Sequence, residues 1–183
     1  MPDFIMPSGF ILLRVIGAFS LFTLSYFLFI NEKVKKKDIF RLAICGVFGV
    51  AINQLLFFEG LNLTTPINAA IVMTISPILV ILLSFLIIKE AITFRKSIGV
   101  LLGLSGASML ILNAGGIDFS SNHQAGNLFI FINASSYALY LVIVKPMIEK
   151  YHPITVMFYV FSFGLFLFSS ICCATNRTFS FNS

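Results

Sequence analysis

Between Ile67 and Ile88 the chain carries no charged residue, and Asn68, Thr74, Ser76 and Ser84 are the polar interruptions of an otherwise apolar run. Wound as an α-helix at about 1.5 Å per residue, these twenty-two residues span roughly 33 Å, close to the hydrocarbon thickness of a bilayer. Thr65 before Pro66 suits an N-cap followed by proline at the first helical position. Lys89 and Glu90 end the run abruptly. Pro77 has no N–H to give the Met73 carbonyl, so a kink or an opened turn is expected near mid-membrane. In lipid the freed carbonyl needs a partner from a neighbouring helix, a side chain or water. The stretch reads as a spanning helix with a hinge at Pro77, and such weak points often line a cavity.

Composition agrees with a lipid-embedded chain. Hydrophobic residues make up 58% of the 183 and charged residues 10%, too little charge to cover a soluble domain. The apolar residues fall in blocks of about twenty, the length that spans a membrane. The net charge of +5 sits in links between blocks. No basic face exists to track phosphates, so nucleic acid is not an expected partner, and the bilayer is. Cys45, Cys172 and Cys173 lie in apolar runs, two of them adjacent, which indicates neither a disulfide framework nor a metal site.

Six runs can span: A (Gly9–Ile30), B (Leu42–Gly60), C (Ile67–Ile88), D (Ser97–Leu112), E (Gly126–Val144) and F (Ile154–Ala174). The fold class expected is therefore an all-α polytopic membrane protein. The links 31–41, 89–96 and 145–153 are rich in Lys and Arg, whereas LNLTTP and NAGGIDFSSNHQAG have neither. This alternation makes the three basic links cytoplasmic and puts the N-terminus outside. MPDFIMPS is too short and polar for a signal peptide, so one more helix upstream is the simplest arrangement, and the chain is expected to be a fragment at both ends. Pro7 precedes A as Pro153 precedes F, and Leu21-Phe22 recurs at the same offset as Leu167-Phe168. The charge rule runs A inward and F outward, as a repeat with an odd number of helices must.

Nothing in the sequence supports catalysis, a cofactor or a metal centre: there is no phosphate-binding glycine loop, and His123 and His152 lie in separate links. Polar residues inside the runs are the candidates for a solute path. Asn133, Ser136, Tyr137 and Tyr140 stand at i, i+3, i+4 and i+7 of E, a single helix face. Lipid penalises that face, so it looks inward, either to line a cavity or to hydrogen-bond another helix. Arg14, about one turn into A, either snorkels outward or faces water or a partner. Glu59, near the outer end of B, is the candidate partner for an ion pair. Asn53 and Gln54 in B, and Asn68 and Ser76 in C, complete the substrate-cavity set. Gly99, Gly103 and Ala107 recur every fourth residue on D as a packing face, either within the chain or, in a homodimer, against a second copy.

The residues from Asn53 to Leu112, NQLLFFEGLNLTTPINAAIVMTISPILVILLSFLIIKEAITFRKSIGVLLGLSGASMLIL, resemble an EamA-type domain of the drug/metabolite transporter superfamily. The features are a Gly-Leu, Thr-Thr, Ala-Ala helix start, then Ser-Pro, a helix-ending Lys-Glu and a Gly-rich helix. GNLFIFINASSYALYLVIVKPMIEKYHPITV, Gly126 to Val156, resembles the opening of a second such repeat, with Tyr137 where the family often has tryptophan. The resemblance implies ten helices in two inverted five-helix repeats and the movement of small metabolites through a central cavity. Residues 1–113 would be the first repeat without its first helix, and 126–183 the truncated start of the second. It implies a multi-pass protein of the bacterial inner membrane, a secondary transporter or exporter of amino-acid-like or drug-like solutes. The alternative is a non-transporting membrane-embedded partner that assembles through its Gly-rich helix.

Overall fold

The computed structural model describes residues 7–30, 32–113 and 123–179, with side chains for 14–30, 32–109 and 123–170. Most of the link before Gln124, and the side chains of Cys172 and Cys173, lie outside the described residues. Every regular element among the described residues is helical. Helix α1 (Pro7–Ser25) runs into a wider π-helical turn, Tyr26–Ile30. Helices α2 (Lys36–Gly46) and α3 (Asn53–Leu63) are joined through a second π-helical turn, Val47–Ile52, as one continuous stretch. Helix α4 (Pro66–Met73) is followed by α5 (Ser76–Leu83) and a third π turn, Ser84–Ile88. Then come α6 (Phe94–Asn113), α7 (Gln124–Lys150) and α8 (Pro153–Phe179).

Local chemistry sets these ends. Thr65 Oγ1 accepts the Asn68 N–H at 3.2 Å, with Pro66 at the first helical position, the capping arrangement expected there. At the far end Lys89 adopts the left-handed conformation, φ 57°. The Glu90 N–H then closes back on the Ser84 carbonyl at 3.2 Å, which stops the helix. Four stretches are long and apolar enough to cross a bilayer: Lys36–Leu63, Pro66–Ile88, Gln124–Lys150 and Pro153–Ser170. Arg14–Ile30 is apolar and shorter. Exposed Phe29, Leu86, Leu101, Leu102 and Phe166 cover the helices with a surface that water would penalise and lipid accepts.

The chain divides into two compact units: residues up to Ala51 together with those from Ile143 onward, and Ile52–Val142. The boundaries fall inside the π turn Val47–Ile52 and inside α7. In the first unit α8 packs against α1 and α2. The crossing of α2 and α8 is made by two glycines. A Cβ on Gly46 would stand 2.8 Å from the Val160 carbonyl, and one on Gly164 2.4 Å from the Val50 Cβ. Between α1 and α8, Tyr26 stacks on Phe158 at 4.6 Å and Phe22 lies 5.2 Å from Phe161.

Polar groups clasp the link after α1 to the turn before α8. Asp38 receives hydrogen bonds from Lys150 and, at 2.7 Å, from the Tyr151 hydroxyl. The Lys35 N–H donates to that same hydroxyl at 3.2 Å, and the His152 N–H donates to Glu32 at 3.0 Å. Two of the lysine-bearing links therefore lie at one end of this unit.

In the second unit α3 meets α7 at Gly60, where a Cβ would come 2.7 Å from Ile130, and at Gly126, where one would come 2.6 Å from the Leu63 backbone. Thr64 donates to Asn127 at 2.6 Å, and the His123 ring to the Leu63 carbonyl at 3.2 Å. Leu63 and Thr64 at the end of α3 therefore meet the described residues His123, Gly126 and Asn127 at the start of α7.

The close contacts do not include Gly99 and Gly103. A Cβ on either would meet nothing within 4 Å, so the packing face expected along α6 is open within the described residues. Small residues at four-residue spacing permit close approach, and the chain uses that permission at Gly46, Gly60, Gly126 and Gly164 instead.

Candidate functional site

Pro77 divides the most apolar stretch in two. Pro77 has no N–H to continue the α-helical ladder. The Thr74 N–H is shared between the Ala70 and Ile71 carbonyls at 3.2 and 3.1 Å, and the Ile75 N–H turns to the Val72 carbonyl at 3.2 Å. The Ile78 N–H bonds the Ile75 carbonyl at 3.0 Å before the ladder resumes from Leu79 to Ile75 at 3.1 Å. The bonds to Ile71, Val72 and Ile75 from three residues on are tighter, 3₁₀-type bonds. The Thr74 hydroxyl is satisfied internally by the Ile71 carbonyl at 2.6 Å. The Ser76 hydroxyl is buried and finds no hydrogen-bond partner among the described residues.

This break opens on an open-sided groove of about 690 Å³ wholly within the Ile52–Val142 unit. Met73 and Thr74 border it on the α4 side, and Ser76, Pro77, Val80 and Ile81 on the α5 side. Helix α6 supplies Lys96, Gly99, Val100, Gly103, Leu104 and Ala107, and α7 supplies Tyr137 and Leu141. Glycines at two turns of α6 leave the volume that side chains would otherwise fill. A second, more apolar recess of about 380 Å³ lies on the other side of α5 and α6, between Ile78, Leu82, Ile92 and Leu101.

Charge is balanced at the cavity rim. Lys96 is its charged lining residue, and the ammonium is bonded to Glu90 at 2.5 Å. The remaining lining is apolar apart from Thr74, Ser76 and Tyr137. Drug-sized ligands occupy pockets of this size and composition: hydrophobic walls with a few placed polar groups.

The cavity brings together Ser76, Pro77 and Tyr137, and it adds Gly99, Gly103 and Ala107 as wall rather than as a packed face. The stripe on α7 divides. Tyr137 is 38% exposed, whereas Asn133, Ser136 and Tyr140 are 1%, 6% and 9% exposed. The two tyrosine rings stay 6.1 Å apart. Neither end of the Asn133 amide has a partner among the described residues. Asn68 is buried on α4, and Asn53 and Gln54 are half-buried at the start of α3. Arg14 and Glu59 are each exposed, on α1 and α3 respectively, in different units. Lys96 and Leu141 are wall residues that the sequence reading passed over. Helical spacing carried the signal for both: Leu141 is one turn beyond Tyr137, and Lys96 one turn before Val100.

Comparison with known proteins places this geometry in a family. The EamA-like transporter family matches residues 1–112. Similar curated proteins include the uncharacterized transporter YyaM of Bacillus subtilis (strain 168), 27% identical over 75% of this chain and 47% of that one. An uncharacterized transporter of Archaeoglobus fulgidus is 25% identical over 83% of this chain and 52% of its own. The WAT1-related protein At3g56620 of Arabidopsis thaliana is 26% identical over 79% and 45%. A solved crystal structure shares the fold at TM-score 0.74 and 20% identity, over 93% of this chain and 59% of the other. The chain thus spans about half the length of the curated relatives it matches. It belongs to the EamA-like transporter family.

Proposed function

We propose that the chain is part of a membrane secondary transporter or exporter of small metabolites. In this reading its six apolar stretches all cross the bilayer, as the share of a ten-helix protein built from two inverted repeats. Residues 1–113 belong to the first repeat and 126–183 to the second. The basic links 31–41, 89–96 and 145–153 face the cytoplasm of a bacterial cell, and the protein sits in the inner membrane. Support for the common side of the first and third comes from the Asp38–Lys150 and Glu32–His152 contacts.

The observation that carries the reading is a broken helix opening on a cavity of about 690 Å³. Unwound backbone inside a bilayer is tolerated where it lines such a space, and transporters place solute there. Ser76 and Tyr137 contact the solute, with Arg14, Asn53, Gln54, Asn68, Asn133, Ser136 and Tyr140 as further polar positions along the path. Pro77 is the hinge. The test is uptake of a labelled panel of amino acids and neutral metabolites into proteoliposomes carrying the chain. Saturable flux that Gly103→Leu abolishes is expected. Absence of saturable flux across the panel overturns the proposal.

The open face of Gly99 and Gly103 favours a second reading: a membrane-embedded partner that docks through this face onto a second copy. Disulfide crosslinking of Gly99→Cys in native membranes separates the two, because a covalent dimer is expected only from the second.

A further inference from the structure

The cavity at the Thr74–Ile75 break also constrains what it accepts, and the following rests on the transport reading above. We infer that its solutes are uncharged, largely apolar, drug-sized molecules bearing a single hydroxyl, carbonyl or amide group that binds at Ser76.

Electrostatics comes first. The described residues of the Ile52–Val142 unit hold five formal charges: Glu59, Lys89, Glu90, Arg95 and Lys96. Of these only Lys96 reaches the cavity, and its ammonium is already bonded to Glu90 at 2.5 Å. An anionic solute would have to break that pair, and a cationic one would find no counter-charge. Either would leave an ion poorly compensated among Met73, Val80, Ile81, Val100, Leu104 and Leu141, where desolvation dominates.

Hydrogen bonding comes next. The Ser76 hydroxyl, buried and without a partner, is both donor and acceptor. Pro77 has no N–H to give the carbonyl of Met73, another wall residue. A solute hydroxyl, carbonyl or amide can pair with the Ser76 hydroxyl. A pure hydrocarbon leaves that hydroxyl unsatisfied, and that costs affinity.

The chain contains no tryptophan, so a naphthalene fluorophore reads against a quiet background. The test uses the intact purified chain in nanodiscs with three near-isosteric probes: 2-naphthylmethanol, 2-naphthoate and 2-naphthylmethylammonium. The alcohol is expected to bind saturably and at least about tenfold more tightly than either ion. Gly103→Leu, whose side chain enters open space, is expected to abolish binding with thermal stability retained, and Ser76→Ala to weaken the alcohol about tenfold. Failure of the alcohol to saturate, or equal binding of all three probes, overturns the inference. Binding that Gly103→Leu abolishes but that ignores charge overturns the neutral-solute inference alone. Binding that Gly103→Leu leaves unchanged overturns the cavity as the solute site, and with it the transport reading.

Discussion

At the scale of single residues, glycine has two opposite uses in this molecule. On α2 and α8, Gly46 and Gly164 leave no room for a methyl group, since a Cβ on Gly164 would stand 2.4 Å from the Val50 Cβ. The obstructing atoms belong to a β-branched side chain next to the backbone and cannot swing away. Gly164→Ala is therefore expected to destabilise by about 1–3 kcal/mol, read as a lower Tm of the purified protein. Gly103→Ala meets nothing within 4 Å and is expected to hold or raise Tm, because alanine favours the helix by up to about 1 kcal/mol. An equal loss in both variants would contradict the crossing described above. Sequence spacing singled out Gly99 and Gly103 because a regular four-residue interval is visible in one dimension. Gly46 and Gly164 lie far apart in the chain and are paired only by tertiary contact, which no local pattern encodes.

At the scale of an element, the stretch from Pro66 to Ile88 was almost fully legible. The Thr65 cap, the proline start, the break before Pro77 and the stop at Lys89 follow from local backbone chemistry, and each is present. Thr65→Ala is expected to cost about 1 kcal/mol through the lost bond to the Asn68 N–H, measured by thermal denaturation in detergent. Pro77→Ala restores a donor to the Met73 carbonyl and closes the break. Helical content and Tm are expected to rise while solute flux falls at least about tenfold, or about 1.4 kcal/mol in barrier. Unchanged flux with a straightened helix would remove the break from the mechanism. The α7 stripe was legible only as inward-facing. Which of its members border a cavity depends on α5 and α6, so Tyr137 could not be told from Asn133 by period alone.

For the whole molecule, the alternation of basic and non-basic links leads to the expectation that the three basic links share one side of a bilayer. The structure brings two basic links together through Asp38, Lys150 and Tyr151, and joins Thr64, in a link without Lys or Arg, to Asn127 at the start of α7. Sidedness follows as an expected outcome. In right-side-out vesicles, cysteine at Lys37 or Glu149 is shielded from a membrane-impermeant maleimide, and cysteine at Asn62 is labelled. Labelling of all three from one side would contradict the bilayer topology. The division into compact units was not legible, because it cuts through the turn Val47–Ile52 and through α7 rather than at a link. A helix that stays continuous across such a boundary leaves no mark of it in hydropathy.

The glycine crossing also bears on how the protein can move. Where main chain rests on Val50 and the Val160 carbonyl this closely, sliding one rod along the other would drive the valine into backbone at every step. Helices α2 and α8 are expected to keep their register, so that any motion of one carries the other with it.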